Sequence, residues 1–263
     1  FGWGIFGASF ATVLAQLIAF LLCLRSLRRL PFVQLTKVDW KTDPAILLHL
    51  CRLGIPTGLQ MSMITLGGMV LQSVLNGFGV VFVAGYTAAN KLYGILESAS
   101  VAFGYAMTAY MGQNRGARNA ARIDAGIRAV LVLSAEFTAA IVTAMLVAGK
   151  PLLGLFLSTE EAGAADALAV AYQYLMVLMA FLFALFMLQA YRSSLQGLGE
   201  MTVPTLSGFA EMLMRMGAAL VLPTFIGQSG VFFAEGAAWV CAVALNLVWY
   251  YMRIGKIKRD MLK

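Results

Sequence analysis

The chain has 263 residues, of which 61% are hydrophobic and only 12% charged. An ordinary soluble domain carries about 25% charged residues, so this one cannot cover a water-facing surface; a soluble enzyme, a collagen, a disordered chain and a disulfide scaffold are excluded. The net charge of +7 is no signal for nucleic acid either, because the basic residues fall between apolar runs, where cytoplasmic loops carry them.

A helix needs about 20 apolar residues to cross a bilayer. Seven such runs follow in order: 2–24, 54–77, 82–111, 128–149, 167–190, 204–226 and 230–252. They are continuous rather than alternating, which predicts helices and not barrel strands. The expected fold class is therefore an all-α integral membrane protein, a polytopic helix bundle with seven transmembrane helices. Turn residues part the runs at Asn76-Gly77, Lys150-Pro151, Gly197 with Gly199, Pro223, and Gly227 to Gly230. Pro56 and Pro204 sit near the start of a run, where a missing N–H costs nothing.

Between the first two runs, residues 25–53 form a basic loop with Arg25, Arg28, Arg29, Lys37, Lys41 and Arg52, and residues 34–53 suggest a short interfacial helix. The loop at 112–128 adds four arginines, and the tail at 253–263 adds five basic residues. With Arg192, sixteen basic residues lie on one side of the membrane against Lys150 on the other. That asymmetry predicts a cytoplasmic C-terminus. The chain opens inside an apolar run with no Met, charged flank or signal-peptide pattern, and the expectation is a C-terminal piece of something longer.

The first and last runs resemble one another. Both open on Gly-Ala-small-aromatic (from Gly7 and from Gly236), carry one amide midway (Gln16, Asn246) and end on basic residues. They are six runs apart, which suggests a six-helix repeat of the kind transporters use. Cys23, Cys51 and Cys241 show no metal-ligand spacing and read as small buried hydrophobes; no metal site is expected.

Polar groups within a bilayer are costly and usually face a bundle interior or an aqueous cavity. Thr87, Asn90, Tyr93 and Glu97 make a stripe that either lines a cavity or forms an interhelical hydrogen-bond patch. Glu136 is a proton or cation site, or snorkels, or pairs with a neighbouring helix. Glu211 and Arg215, at i and i+4, are placed for a structural ion pair. Gln189, Arg192, Ser193, Ser194 and Gln196 either border a cavity mouth or cap the interface.

Several stretches, taken in order, resemble a known family: Gly54-Ile55-Pro56-Thr57-Gly58-Leu59-Gln60, Tyr86-Thr87-Ala88-Ala89-Asn90-Lys91, Gly112-Gln113-Asn114-Arg115-Gly116-Ala117, Arg192-Ser193-Ser194-Leu195-Gln196-Gly197-Leu198-Gly199, and Glu211 with Arg215. The chain resembles the C-terminal half of a bacterial multidrug and toxic compound extrusion (MATE) transporter plus the last helix of the N-terminal half. The resemblance implies twelve helices in two six-helix lobes around a central cavity. It assigns residues 1–24 to the N-terminal lobe's last helix, 25–53 to an interlobe loop, 54–252 to the six-helix C-terminal lobe and 253–263 to a basic tail.

It also implies a secondary antiporter, not an enzyme, sited in a bacterial plasma membrane. Such a protein exports cationic or amphipathic drugs by alternating access, driven by protons or sodium ions. No cofactor beyond the coupling ion and no nucleic acid is expected. The partners implied are amphipathic cations, the bilayer and an N-terminal lobe in the same chain, the whole acting as a monomer. Gln60, Thr87, Asn90, Tyr93, Glu97, Glu136 and Gln189 are the candidates for the cavity.

One departure bears on coupling. The sodium-coupled branch carries acids at places that fall near Ile64 and Leu185, and here no acid occurs between Asp43 and Glu97 or between Asp166 and Glu200. The coupling acid is then Glu97, Glu136 or a residue of the other lobe, and the first helix of that lobe is favoured. Two rival functions remain. A lipid-linked oligosaccharide flippase of the same superfamily should have a richly basic cavity, whereas intramembrane cations are expected only at Lys91 and Arg215. A complete seven-span receptor or light-driven pump fits the topology, but residues 230–252 lack the lysine a retinal Schiff base needs.

Overall fold

In lipid no water satisfies a backbone N–H or C=O, so a continuous apolar segment closes its hydrogen bonds within itself. The computed structural model describes residues 3–29, 41–157 and 163–262, and folds them accordingly. The helices are α1 (Gly4–Leu27), α2 (Pro44–Leu75), α3 (Val80–Gly116), α4 (Ala120–Gly154), α5 (Ala164–Gly197), α6 (Thr202–Ile226) and α7 (Phe233–Leu262). Short 3-10 turns precede α3 and α7, and the described residues hold no strand. The chain divides into two compact units, Phe1–Leu50 and Cys51–Lys263.

Six of the seven helices are long and apolar enough to cross a membrane by length and composition. The exception is α3, the expected span 82–111, which is long but interrupted by Asn90, Lys91 and Glu97. The helices also outrun the apolar windows. Residues 44–53 are no separate interfacial helix but the first turns of α2, which places Pro56 inside a helix rather than near its start. There Thr57 Oγ donates to the Leu53 carbonyl at 2.8 Å. Similarly, α4 runs through Pro151 and α6 through Pro223, where turns were expected. Residues 34–40 of the expected interfacial helix lie outside the described residues. The expected tail 253–263 is mostly helix, continuing α7 as far as Leu262.

Turns form where the backbone demands glycine. Gly79 before α3 (φ +94°), Gly199 after α5 (φ +75°) and Gly227 after α6 (φ +73°) adopt the positive φ that other residues avoid. Within the second unit the most extensive packing is between α3 and α5. A Cβ at Gly85 would collide with the Ala167 carbonyl, and one at Gly197 with the Thr108 carbonyl. These are the close backbone approaches that small residues permit between membrane helices.

Around this pair lies a core with Tyr86 stacked on Tyr174 at 4.6 Å and Phe82 on Phe232 at 5.3 Å. A second cluster joins Met111, Ile123, Tyr191 and Leu195 to the end of α7, through Ile254, Ile257 and Met261. Lys258 pairs with Asp124 beside it. All three cysteines are free; Cys23 and Cys51 are exposed and Cys241 half-buried, so the expectation of buried thiols fails.

Candidate functional site

Helix α6 turns Glu211 and Arg215 to the same inward face because they are four residues apart. Glu211 Oε1 accepts from Arg215 Nη2 at 3.1 Å. The pair does not stand alone. Arg192 of α5, 5% exposed, places Nη2 2.5 Å from Glu211 Oε2. Glu235 of α7 places Oε2 2.7 Å from Arg215 Nη2. The four charges alternate, Arg192, Glu211, Arg215 and Glu235, across three helices, and their sum is zero. Burial of isolated charges costs several kcal/mol each, so the ladder persists only because every member has a partner of opposite sign.

The ladder corrects the expected inventory twice. Arg192 joins the pair expected of Glu211 and Arg215 alone, buried beside Glu211 rather than bordering an open cavity. Glu235, absent from the expected site, is one of the ladder's two acids. A lone acid in the first turn of a helix usually serves the helix dipole, which is why its spacing gave no signal. Arg192 was hidden because its acceptor lies nineteen residues away on another helix.

Polar contacts fasten α2 against the same region. Arg215 Nη1 donates to the Ile64 carbonyl at 3.0 Å, Gln196 Nε2 to Gln60 Oε1 at 3.0 Å, and Thr205 Oγ to the Pro56 carbonyl at 3.2 Å. Gln60 is fully buried. It is therefore a seam residue between α2, α5 and α6, not an open cavity group.

On α3 the expected stripe splits. Thr87, Asn90 and Lys91 are exposed, together with Gly94, Ser98 and Tyr105 at helical spacing. Tyr93 is turned inward and stacks on Trp239 of α7 at 5.7 Å. Glu97 stands at the border between these faces, half-buried. It lines a hollow of about 410 Å³ with Gly94, Ser98, Val101, Ala102 and Tyr105. At Ala102 the hollow meets an apolar groove of about 600 Å³ between α3 and α4, walled by Phe103, Met107, Val130 and Phe137.

Glu97 lies within electrostatic reach of Tyr93, Arg215 and Glu211, and Glu235 lies within reach of Glu97. Among the described residues neither Glu97 nor Lys91 forms an ion pair. Glu97 is therefore a carboxylate outside the paired ladder, six residues from the exposed Lys91 on the same helix.

Two candidates lie away from it. Glu136 is on an exposed face of α4, and Gln189 is a half-buried residue of α5 beside Gly104 of α3. The described residues hold no group of three His, Cys, Asp or Glu side chains arranged for a metal ion. The arrangement sets the Glu97 carboxylate next to an apolar surface.

Known proteins share this architecture. The family model described as MatE matches residues 56–221. The chain is 30% identical over 265 residues to the probable multidrug resistance protein YpnP of Bacillus subtilis (strain 168), an alignment covering 98% of the chain and 56% of that protein. Among solved structures it is similar to a MOP superfamily transporter from Pyrococcus furiosus (TM-score 0.88, 23% identity, 98% of this chain and 58% of that one). It is also similar to a MATE crystallised in complex with MaL6 (TM-score 0.87, 22% identity, 98% and 58%). The chain thus spans little more than half the length of the relatives it matches.

Proposed function

Because the chain belongs to the MatE family, we propose that it forms one lobe of a secondary efflux antiporter, exporting cationic or amphipathic drugs in exchange for protons or sodium ions. The partner is a second six-helix lobe of the same chain, and the two alternate access to a cavity between them. The sixteen-to-one placement of basic residues supports a cytoplasmic C-terminus. The site is the plasma membrane of a bacterium, and the complete protein works as a monomer.

One observation carries this reading: Glu97 is a carboxylate without an ion pair, on the polar open edge of α3, beside an apolar groove. A hydrophobic cation places its charge against Glu97 and its rings along Phe103 and Phe137. When a proton or sodium ion neutralises Glu97, the attraction for the drug's charge is lost and the drug leaves. When that ion departs on the other side, the anion that binds the next drug molecule is restored. In this reading Glu97 gives this lobe a coupling acid of its own, beside the one expected on sequence grounds in the other lobe's first helix.

The flippase alternative wants free basic groups for a pyrophosphate. Both buried arginines are already held by Glu211 and Glu235, and the open face of α3 offers only Lys91, a single basic group where a pyrophosphate needs several, which favours the antiporter.

The test is transport of ethidium by the complete protein in proteoliposomes, with proton and sodium gradients imposed in turn. Glu97→Gln is expected to lower gradient-driven ethidium movement to that of empty vesicles, with Glu97→Asp retaining part of it. Undiminished transport by Glu97→Gln would overturn the assignment.

A further inference from the structure

Helices α6 and α7 pack against each other, and an apolar groove of about 520 Å³ lies between them. Its walls are Val203 and Leu206 of α6 with Ala244, Leu245 and Val248 of α7. Leu206, Leu245 and Val248 stay exposed along it, so in a bilayer it faces hydrocarbon as apolar as its own walls. Its end is different. Trp249 closes the groove, and the Arg253 guanidinium lies over the indole with Cζ 4.9 Å from the ring centroid.

This cation has no carboxylate: among the described residues Arg253 forms no ion pair. The indole Nε1–H of Trp249 and the Nε–H of Arg253 are both buried without an acceptor. Buried donors in folded proteins are bonded as a rule. Two orphans side by side therefore mark an end that lacks an acceptor oxygen. Lys256 and Arg259 stand exposed on the next turns, against one exposed acid, Asp260. The charge around this end is basic.

Depth agrees with chemistry. Cys241 marks the groove's other end, and Arg253 lies twelve residues further along α7, about 18 Å of helix. The hydrocarbon of one leaflet is about 15 Å thick. The groove thus runs the depth of a leaflet, and its arginine reaches the level of the headgroups. Beyond Cys241 a second groove of about 590 Å³ continues between the same helices towards Leu222, and no charged residue lines it.

We propose that the α6–α7 groove is a binding site for an anionic phospholipid, with one acyl chain along Leu206, Ala244 and Val248 and the headgroup phosphate on Arg253. Trp249 holds the guanidinium in place with its ring and supplies a second donor at the same level. A basic pocket at the cytoplasmic ends of membrane helices suits an anionic headgroup. A zwitterionic lipid fits the same groove but gains less, because its own ammonium opposes the arginine. Neither Glu97 nor the α3–α4 groove takes part.

The test uses Trp249 as its own reporter, since bromine on a lipid chain quenches only an indole it touches. The complete protein in mixed micelles is titrated with phosphatidylglycerol or phosphatidylcholine carrying brominated chains. In each background the Trp249 signal is the difference from the same protein with Trp249→Phe. Phosphatidylglycerol is expected to reach half-quenching at about one-tenth the mole fraction that phosphatidylcholine needs, the scale of one charge-assisted hydrogen bond. Arg253→Gln removes that preference, and Ala244→Phe, which fills the groove, weakens quenching by both lipids. Glu97→Gln leaves the preference as it is. Excess glycerol 3-phosphate, a headgroup without chains, does not relieve the quenching.

Equal quenching by the two lipids in the parent protein would overturn the proposal, and that comparison needs no variant at the site to fold. A preference that survives Arg253→Gln would overturn it as well. Relief by glycerol 3-phosphate would mean a site for free phosphate and not for a lipid.

Discussion

Glu235 and Arg192 define the site although neither announces itself by spacing. The Glu211–Arg215 contact was legible because i and i+4 residues are neighbours on any helix. Its extension to Arg192 and Glu235 needs three helices to converge, which periodicity cannot express. The energetic consequence is specific. Cutting a buried ion pair by removing one partner costs about 3–5 kcal/mol, because the other charge is left buried and alone. Glu211→Gln, which strands Arg192 and leaves Arg215 with Glu235 alone, is expected to lower the unfolding midpoint sharply in a thermal melt in detergent. Glu136→Gln, on an exposed face of α4, should leave both the melt and ethidium transport unchanged. A Glu211→Gln protein as stable as the parent would mean that the ladder contributes nothing to the fold.

At the scale of the element, the α2–α6 seam is polar and small rather than apolar. Thr57, Gln60, Ile64 and Gly67 on α2 meet Thr205, Gly208, Met212 and Arg215 on α6 and Met201 just before it. Both sets advance by three or four residues, so each helix offers one ridge to the other. A Cβ at Gly208 would stand 2.6 Å from Gln60 Cγ, so Gly208→Leu must push the helices apart. The expected result is loss of transport with lower thermal stability, whereas Gly217→Leu, whose added Cβ meets open space, leaves both intact.

Helix existence was legible because apolar runs of this length have few alternatives in lipid. Helix extent was not. Hydropathy measures the part of a helix that lies in hydrocarbon, while Arg52 on α2 and Lys258 on α7 lie on helical turns that continue past it. α3 falls short for the opposite reason: it spends its hydropathy on Thr87, Asn90, Lys91 and Glu97, the groups of its polar open edge.

For the whole molecule, the second unit behaves as a neutral buried ladder with one extra carboxylate at its rim. Family membership gives that rim its context, and this chain covers 56% of YpnP. In the proposed function that carboxylate is what draws a cationic drug to the rim.

The most direct test of that claim is proton release on drug binding. The complete protein is held in detergent with little buffer, and tetraphenylphosphonium is added while a pH indicator is read. If Glu97 is the seat exchanged between proton and drug, one proton leaves per bound cation near the midpoint of its titration. None leaves in Glu97→Gln, while Glu136→Gln releases as the parent does. Equal release from Glu97→Gln would place the exchanging acid elsewhere and contradict the account.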